Sequence, residues 1–186
     1  VEVCHDFTEE PPVKRRMIVF GAMEFSAALA AAATAIGYRV TVCDPRSLFA
    51  TPERFPGAEL VVQWPTGWLE RVISTGSITD DTAICVLSHD ARFDAELIAL
   101  ALASPAGYVG AMGSRNTHDR RVASLAERGV NDLTRLHSPI GLDLGVSTPA
   151  ETAISILAEV LAARSHSSAS PLRSTSGAIH GARVRA

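Results

Sequence analysis

The segment Tyr108–Arg121, YVGAMGSRNTHDRR, carries the densest set of groups in the chain that could hold a ligand. An apolar pair runs into two glycines, a serine and an arginine, then into a polar stretch that reads as a helix start. At such a junction the first N–H groups of the helix have no intrahelical acceptor, and the helix dipole adds positive potential. Gly113, Ser114 and Arg115 are therefore a candidate cradle for a phosphate, with the guanidinium as its counter-charge.

A second loop of this kind is GAMEFS, residues 21–26. A dinucleotide fingerprint would read GxGxxG, each glycine having a steric job. Gly21 keeps the tight turn, Met23 stands where the second glycine would let a pyrophosphate approach, and Ser26 is small enough for helix–strand packing. Gly21, Ala22 and Ser26 remain candidates to assist an anion, while standard nicotinamide dinucleotide binding is weakened. Asp44 falls about twenty residues after Gly21, where a ribose-binding carboxylate sits in such folds. It also begins an Asp-Pro turn, so a structural role stays open. Arg46 could pair with Asp44 or hold a phosphate. His89, followed by Asp90, could act as acid, base or hydrogen-bonding group, or simply fill a turn. RLHSPIGLDLG, residues 135–145, places His137 in a loop of mixed polarity that could line a site or form a structural turn. No catalytic residue and no metal ligand is assigned: HExxH, GxSxG and GxxxxGK[ST] do not occur.

The elements that would position these residues alternate. Short apolar strands are expected at 17–21, 39–44, 58–64, 82–88 and 107–112. Helices are expected at 26–38, 94–104, 118–129 and from Thr148-Pro149 to about Arg164, the last with Thr at N-cap and Pro at N1. Such alternation predicts a Rossmann-like α/β three-layer sandwich with a mainly parallel sheet in the order 3-2-1-4-5 and an added C-terminal helix. Ligands in such sheets bind beyond the carboxyl ends of the strands, at the switch between strands one and four. All of the candidate residues except His137 fall in loops that reach that edge.

Bulk properties bound the classes. The 186 residues are 47% hydrophobic, enough for one domain with a sizeable core. A net charge of −3 does not point to nucleic acid or membrane as partner. No apolar run is long enough for a membrane span. Cys4, Cys43 and Cys85 are odd in number and widely spaced, which argues against a disulfide framework and predicts a reducing, cytoplasmic compartment. Three cysteines are also too few for the iron–sulfur clusters of a redox enzyme. Residues 1–16 read as a linker or edge segment, 17–164 as the Rossmann-like domain, and 165–186 as a disordered Ser/Arg-rich tail.

GYRVTVCDPRSLFATPERFPGAELVVQWP, ICVLSHDARFD, YVGAMGSRNTHDRR and LHSPIGLDLGVSTPAETAISILAEVLAAR together resemble the C-terminal Rossmann-like domain of the xanthine dehydrogenase accessory family (XdhC/CoxI). The resemblance runs from about Met17 to Arg164, and the pairing of GAMGSR with HSPIGLDLG carries it. It implies a factor that binds molybdenum cofactor (molybdopterin or its cytosine dinucleotide form) and delivers it. The delivery assists sulfuration and insertion in molybdenum hydroxylases of the xanthine dehydrogenase or CO dehydrogenase type. Implied partners are the apo-enzyme and a cysteine desulfurase, with a homodimer left open. Under this reading Gly113, Ser114 and Arg115 hold phosphate, assisted by residues 21–26. Asp44 and Arg46 meet a ribose or second phosphate, and His89 and His137 line the pterin side. The family's usual cysteine-containing N-terminal domain is not among these residues, so the sequence reads as a fragment or a short relative. Many relatives have glycine where this chain has Met23. The reading favours a non-catalytic maturation factor and leaves activity open. The alternatives are an NAD(P)-dependent oxidoreductase and a docking domain without a small-molecule ligand.

Overall fold

The structure, a computed structural model, describes residues 15–88, 90, 93–145 and 147–176. Six strands and five α-helices follow one another in the order β1 (Arg16–Phe20), α1 (Glu24–Ala35), β2 (Arg39–Cys43), β3 (Glu59–Val61), α2 (Pro65–Ser74), β4 (Thr82–Val86), α3 (Asp94–Ala103), β5 (Tyr108–Ala111), α4 (Arg115–Glu127), β6 (Leu136–His137) and α5 (Pro149–Ser165). The sheet order is β3-β2-β1-β4-β5-β6. Every neighbouring pair is parallel, with Phe20 opposite Cys43 on one side and Val86 on the other. The expected Rossmann-like α/β sandwich and C-terminal helix are present. One strand is added at the β5 edge, where Gly110 pairs with His137.

The all-buried strands β1 and β4 explain the central position of this pair. A strand covered on both faces reads as a continuous apolar run, as MIVF and AICV do. Alternate side chains feed two cores. Met17, Val19, Val40, Val42 and Cys85 pack with Leu29, Ala33, Ile156 and Val160 under α1 and α5. Ile18, Phe20, Cys43, Ile84 and Val86 pack with Trp68, Leu69, Leu97, Ile98 and Leu125 under α2, α3 and α4. Cys43 and Cys85 are free, fully buried thiols on the strands that flank β1. Cys4 lies outside the described residues.

Several bounds differ from expectation. The α2 helix was not anticipated, β3 is shorter than expected, and α4 begins at Arg115 instead of 118. Ser114 caps that helix by accepting a hydrogen bond from the Thr117 N–H, which moves the start upstream. The start of α5 follows expectation: Thr148 and Glu151 form a reciprocal capping box with Pro in the first turn. After α5 a short 3₁₀ turn spans Leu172–Ser174. No helix among the described residues is long and apolar enough to cross a membrane.

Candidate functional site

At the end of β1 the chain turns sharply at Gly21, whose φ is +98°. A Cβ there would stand 2.8 Å from the Ser88 nitrogen, so only glycine lets the first loop lie against the end of β4. The Gly21 N–H donates to the Cys43 carbonyl at 2.9 Å, and the Ala22 N–H donates to Asp44 Oδ2 at 2.7 Å. The loops after β1 and β2 are thus joined by one carboxylate. Asp44 is 1% exposed. Besides Ala22, it accepts from the Arg46 backbone N–H (2.9 Å), from Arg46 Nε (2.9 Å) and from Arg46 Nη2 (2.7 Å). A carboxylate has about four acceptor positions, and here four donors face them. Burial pushes the Asp44 pKa up, but these hydrogen bonds and the guanidinium outweigh it and hold the carboxyl below its ordinary range. Asp44 therefore acts as a strap between two loops, leaving no obvious oxygen for a ribose hydroxyl.

The Arg46 guanidinium is fixed flat by that two-point pairing, with its carbon 4.5 Å from the centre of the Phe49 ring. Met23 Sδ accepts from Arg46 Nη2 at 3.9 Å. Met23 is the N-cap of α1 without a capping side chain. Ser26, in the first turn of α1, is fully buried, and its Oγ has no hydrogen-bond partner among the described residues.

The second candidate cradle stands at the end of β5, separated from β1 by β4. Two strand spacings put it about 10 Å away along the edge. Gly113 packs against α4, where a Cβ would meet Thr117 Cγ2 at 2.9 Å. Ser114 is committed to capping, since its Oγ accepts from the Thr117 N–H at 3.2 Å. Arg115 and Asn116, the next two residues, are exposed at the first turn of α4, where backbone N–H groups lack helical acceptors. This end of the site therefore has exposed donors and a cation at the mouth.

Arg121 holds this region in place and was not singled out from the sequence. It is 5% exposed and donates to the Met112 carbonyl (3.0 Å), Ser138 Oγ (2.8 Å) and Asp94 Oδ2 (3.3 Å). Asp94 Oδ1 in turn accepts from the Ser88 hydroxyl at 2.8 Å. One guanidinium thus links the ends of β4, β5 and β6 from beneath. Its signal in the sequence was helical phase, because Arg121 and the apolar Leu125 lie four residues apart on the buried side of α4.

His137 is not brought to the Gly21–Arg46 group. It lies on β6, its ring stacked on Tyr108 at 4.5 Å, and its Nδ1 is 3.3 Å from Glu159 Oε1. Glu159, on α5, also accepts from the Tyr108 hydroxyl (2.6 Å) and the Gly141 N–H (2.8 Å). These bonds fasten the 138–145 loop to α5, where Ser155 Oγ donates to the Leu142 carbonyl at 2.6 Å. His89 lies outside the described residues, and Asp90 stands at the switch point beside it. Among the described residues no group of three or more His, Cys, Asp or Glu could hold a metal ion.

Comparison with known proteins finds the family described as XdhC Rossmann domain, whose model matches residues 17–160. A curated relative from Bacillus subtilis, named as a probable xanthine dehydrogenase component, is 29% identical over 158 residues, covering 85% of this chain and 46% of the relative. The molybdenum cofactor insertion chaperone PaoD of Escherichia coli is 32% identical over 95 residues, covering 50% of this chain and 30% of the relative. Among solved structures, a xanthine dehydrogenase from Bacillus halodurans matches with a TM-score of 0.72 and 29% identity, over 85% of this chain and 45% of that one. The chain spans less than half the length of each of these proteins.

Proposed function

This chain belongs to the XdhC family through its Rossmann domain, and from that membership we propose that it binds molybdenum cofactor and hands it to an apo molybdenum hydroxylase of the xanthine dehydrogenase or CO dehydrogenase type. The observation that carries the proposal is the family match across 17–160, which contains the whole carboxyl edge. The names of two relatives, one a xanthine dehydrogenase component and the other a molybdenum cofactor insertion chaperone, point the same way. The chemistry of the edge fits a cargo that is held and not transformed. Donors and an exposed cation meet at Gly113–Arg115, where the Ser114 hydroxyl is taken up in capping α4. The phosphate of the cargo lies on the first turn of α4, with Arg115 as counter-charge and the Gly21–Ser26 loop beside the switch point. A cysteine desulfurase acts on the held cargo before transfer, the chain works in the cytoplasm, and two copies can associate during hand-over.

The nicotinamide reading loses its main support in Asp44, whose oxygens are occupied by Ala22 and Arg46. Met23 at the place of the second glycine weakens it further.

The test is anaerobic purification of the chain with its cargo, identification of the ligand by mass spectrometry, and titration of wild type and Arg115→Ala with purified cofactor. Arg115→Ala should bind about tenfold more weakly, since a charged hydrogen bond contributes about 1.5 kcal/mol. Equal affinity would remove the phosphate assignment, and absence of any pterin ligand on the wild type would remove the proposal.

A further inference from the structure

The Asp44–Arg46 pair carries a feature that charge alone does not explain. Arg46 is one of the candidate anion contacts, yet its charge is balanced by a buried, ionised carboxylate at 2.7 Å. A closed pair is a poor phosphate clamp. It is a good plane. Nε and Nη2 meet the two carboxylate oxygens, and Asp44 is itself held by two backbone N–H groups, so the guanidinium has little freedom to turn. Phe49 lies along the guanidinium at 4.5 Å, Met23 sulfur touches its edge, and half of the Arg46 side chain is exposed. Flat guanidinium, aromatic ring and thioether are the groups that stack on planar, polarisable rings.

A second observation is the exposure of these and neighbouring side chains. Large apolar side chains in the segments that follow β1, β2 and β3 are exposed: Met23 (37% exposed), Leu48 (80%), Phe49 (38%), Val62 (46%) and Trp64 (45%). They are five of the ten exposed large hydrophobics among the described residues. Apolar groups concentrated at the ligand edge of a doubly wound sheet mark a binding surface better than the same groups scattered singly.

We infer that Met23, Arg46 and Phe49 form a stacking subsite for a planar nitrogen heterocycle, distinct from the anion cradle at Gly113–Arg115. The inference rests on the cargo reading above and divides that cargo between two ends of the sheet edge, ring over β1–β2 and anion over β5. The heterocycle is the pterin ring or, in a dinucleotide form, the base. Asp44 is a positioning residue here, since it sets the plane of Arg46 without needing to touch the ligand.

The experiment uses the full chain and two phosphate-free probes, 6-hydroxymethylpterin and cytidine, titrated by calorimetry. The pterin should bind wild type. Arg46→Lys keeps the charge facing Asp44 but removes the plane, and Phe49→Ala removes the ring beneath it; each should weaken binding about tenfold, the size of one lost stacking contact. Phe49→Tyr, which keeps a ring, should restore wild-type affinity, and a single cooperative urea transition with a native baseline in each variant would show that it folds. Binding of cytidine but not of the pterin, with the same dependence on Arg46 and Phe49, keeps the subsite and assigns it to the base. Wild-type affinity in both Arg46→Lys and Phe49→Ala, or no binding of either probe to wild type, overturns the inference. Failure of the cargo reading shows separately, as no pterin ligand on the anaerobically purified protein.

Discussion

The Asp44 carboxylate is almost wholly buried, and burial alone would raise its proton affinity. Bonds from Arg46 and Ala22 more than reverse that, so the folded pKa lies below the ordinary value of 3.8. The unfolded chain then binds the additional proton, and stability rises with pH across the interval between the two values. The contribution is complete above the ordinary value and is lost as pH falls through the lower, folded one. Asp44→Asn should therefore be less stable than wild type by about 2 kcal/mol at neutral pH, with the gap closing in acid, as charged hydrogen bonds of this kind imply. Urea unfolding at a series of pH values checks this; a gap that stays constant into acid would refute it. Sequence placed Asp44 and Arg46 at the correct edge and left open whether they meet a ligand or each other. It could not reveal the Ala22 bond, because contact between backbone and side chain 22 residues apart depends on how two loops fold over the strand ends.

At the scale of elements, the strands were legible because each is a short apolar run bounded by polar or turn residues. The missed α2 has helical spacing in Trp68, Leu69, Val72 and Ile73, but it opens with Pro-Thr-Gly, which reads as a turn. The two-residue β6 is too short for any periodicity to show. Arg121 was hidden for a related reason: Arg120 and Arg121 are chemically alike, and only the phase of α4 against the sheet buries one and exposes the other. That burial has a measurable cost when undone. Arg121→Gln would take the buried guanidinium away from Asp94, Met112 and Ser138 together. Stability should fall by about 3 kcal/mol, as when one partner of a buried pair is removed. Chemical denaturation gives the loss, and amide exchange should show it concentrated at residues 110–115 and 138–142. A change within 0.5 kcal/mol, roughly that of an ordinary surface substitution, would show that Arg121 is not a hub.

For the molecule as a whole, the alternating pattern predicts a strand order whose carboxyl edge is where such sheets take ligands, and the structure adds a sixth strand and the α2 helix to it. The pattern does not decide whether that edge takes a ligand or of which class, because the same sheet serves many unrelated functions. Side-chain occupancy gives a direction. With Asp44 strapped to Ala22 and Arg46, NADH and NADPH should leave nicotinamide fluorescence unchanged even at millimolar concentration; saturable enhancement would return the chain to the oxidoreductase class. The same architecture has a use at the bench. Cys43 and Cys85 sit on the two strands that sandwich β1, both fully buried, and burial pushes the Cys43 thiol up to about 12. Neither can become a reactive thiolate until the middle of the sheet opens. The rate at which a thiol reagent marks these two sites, read by peptide mass mapping, is therefore a built-in clock for separation of the central strands, and a bound cargo that steadies the sheet should slow it.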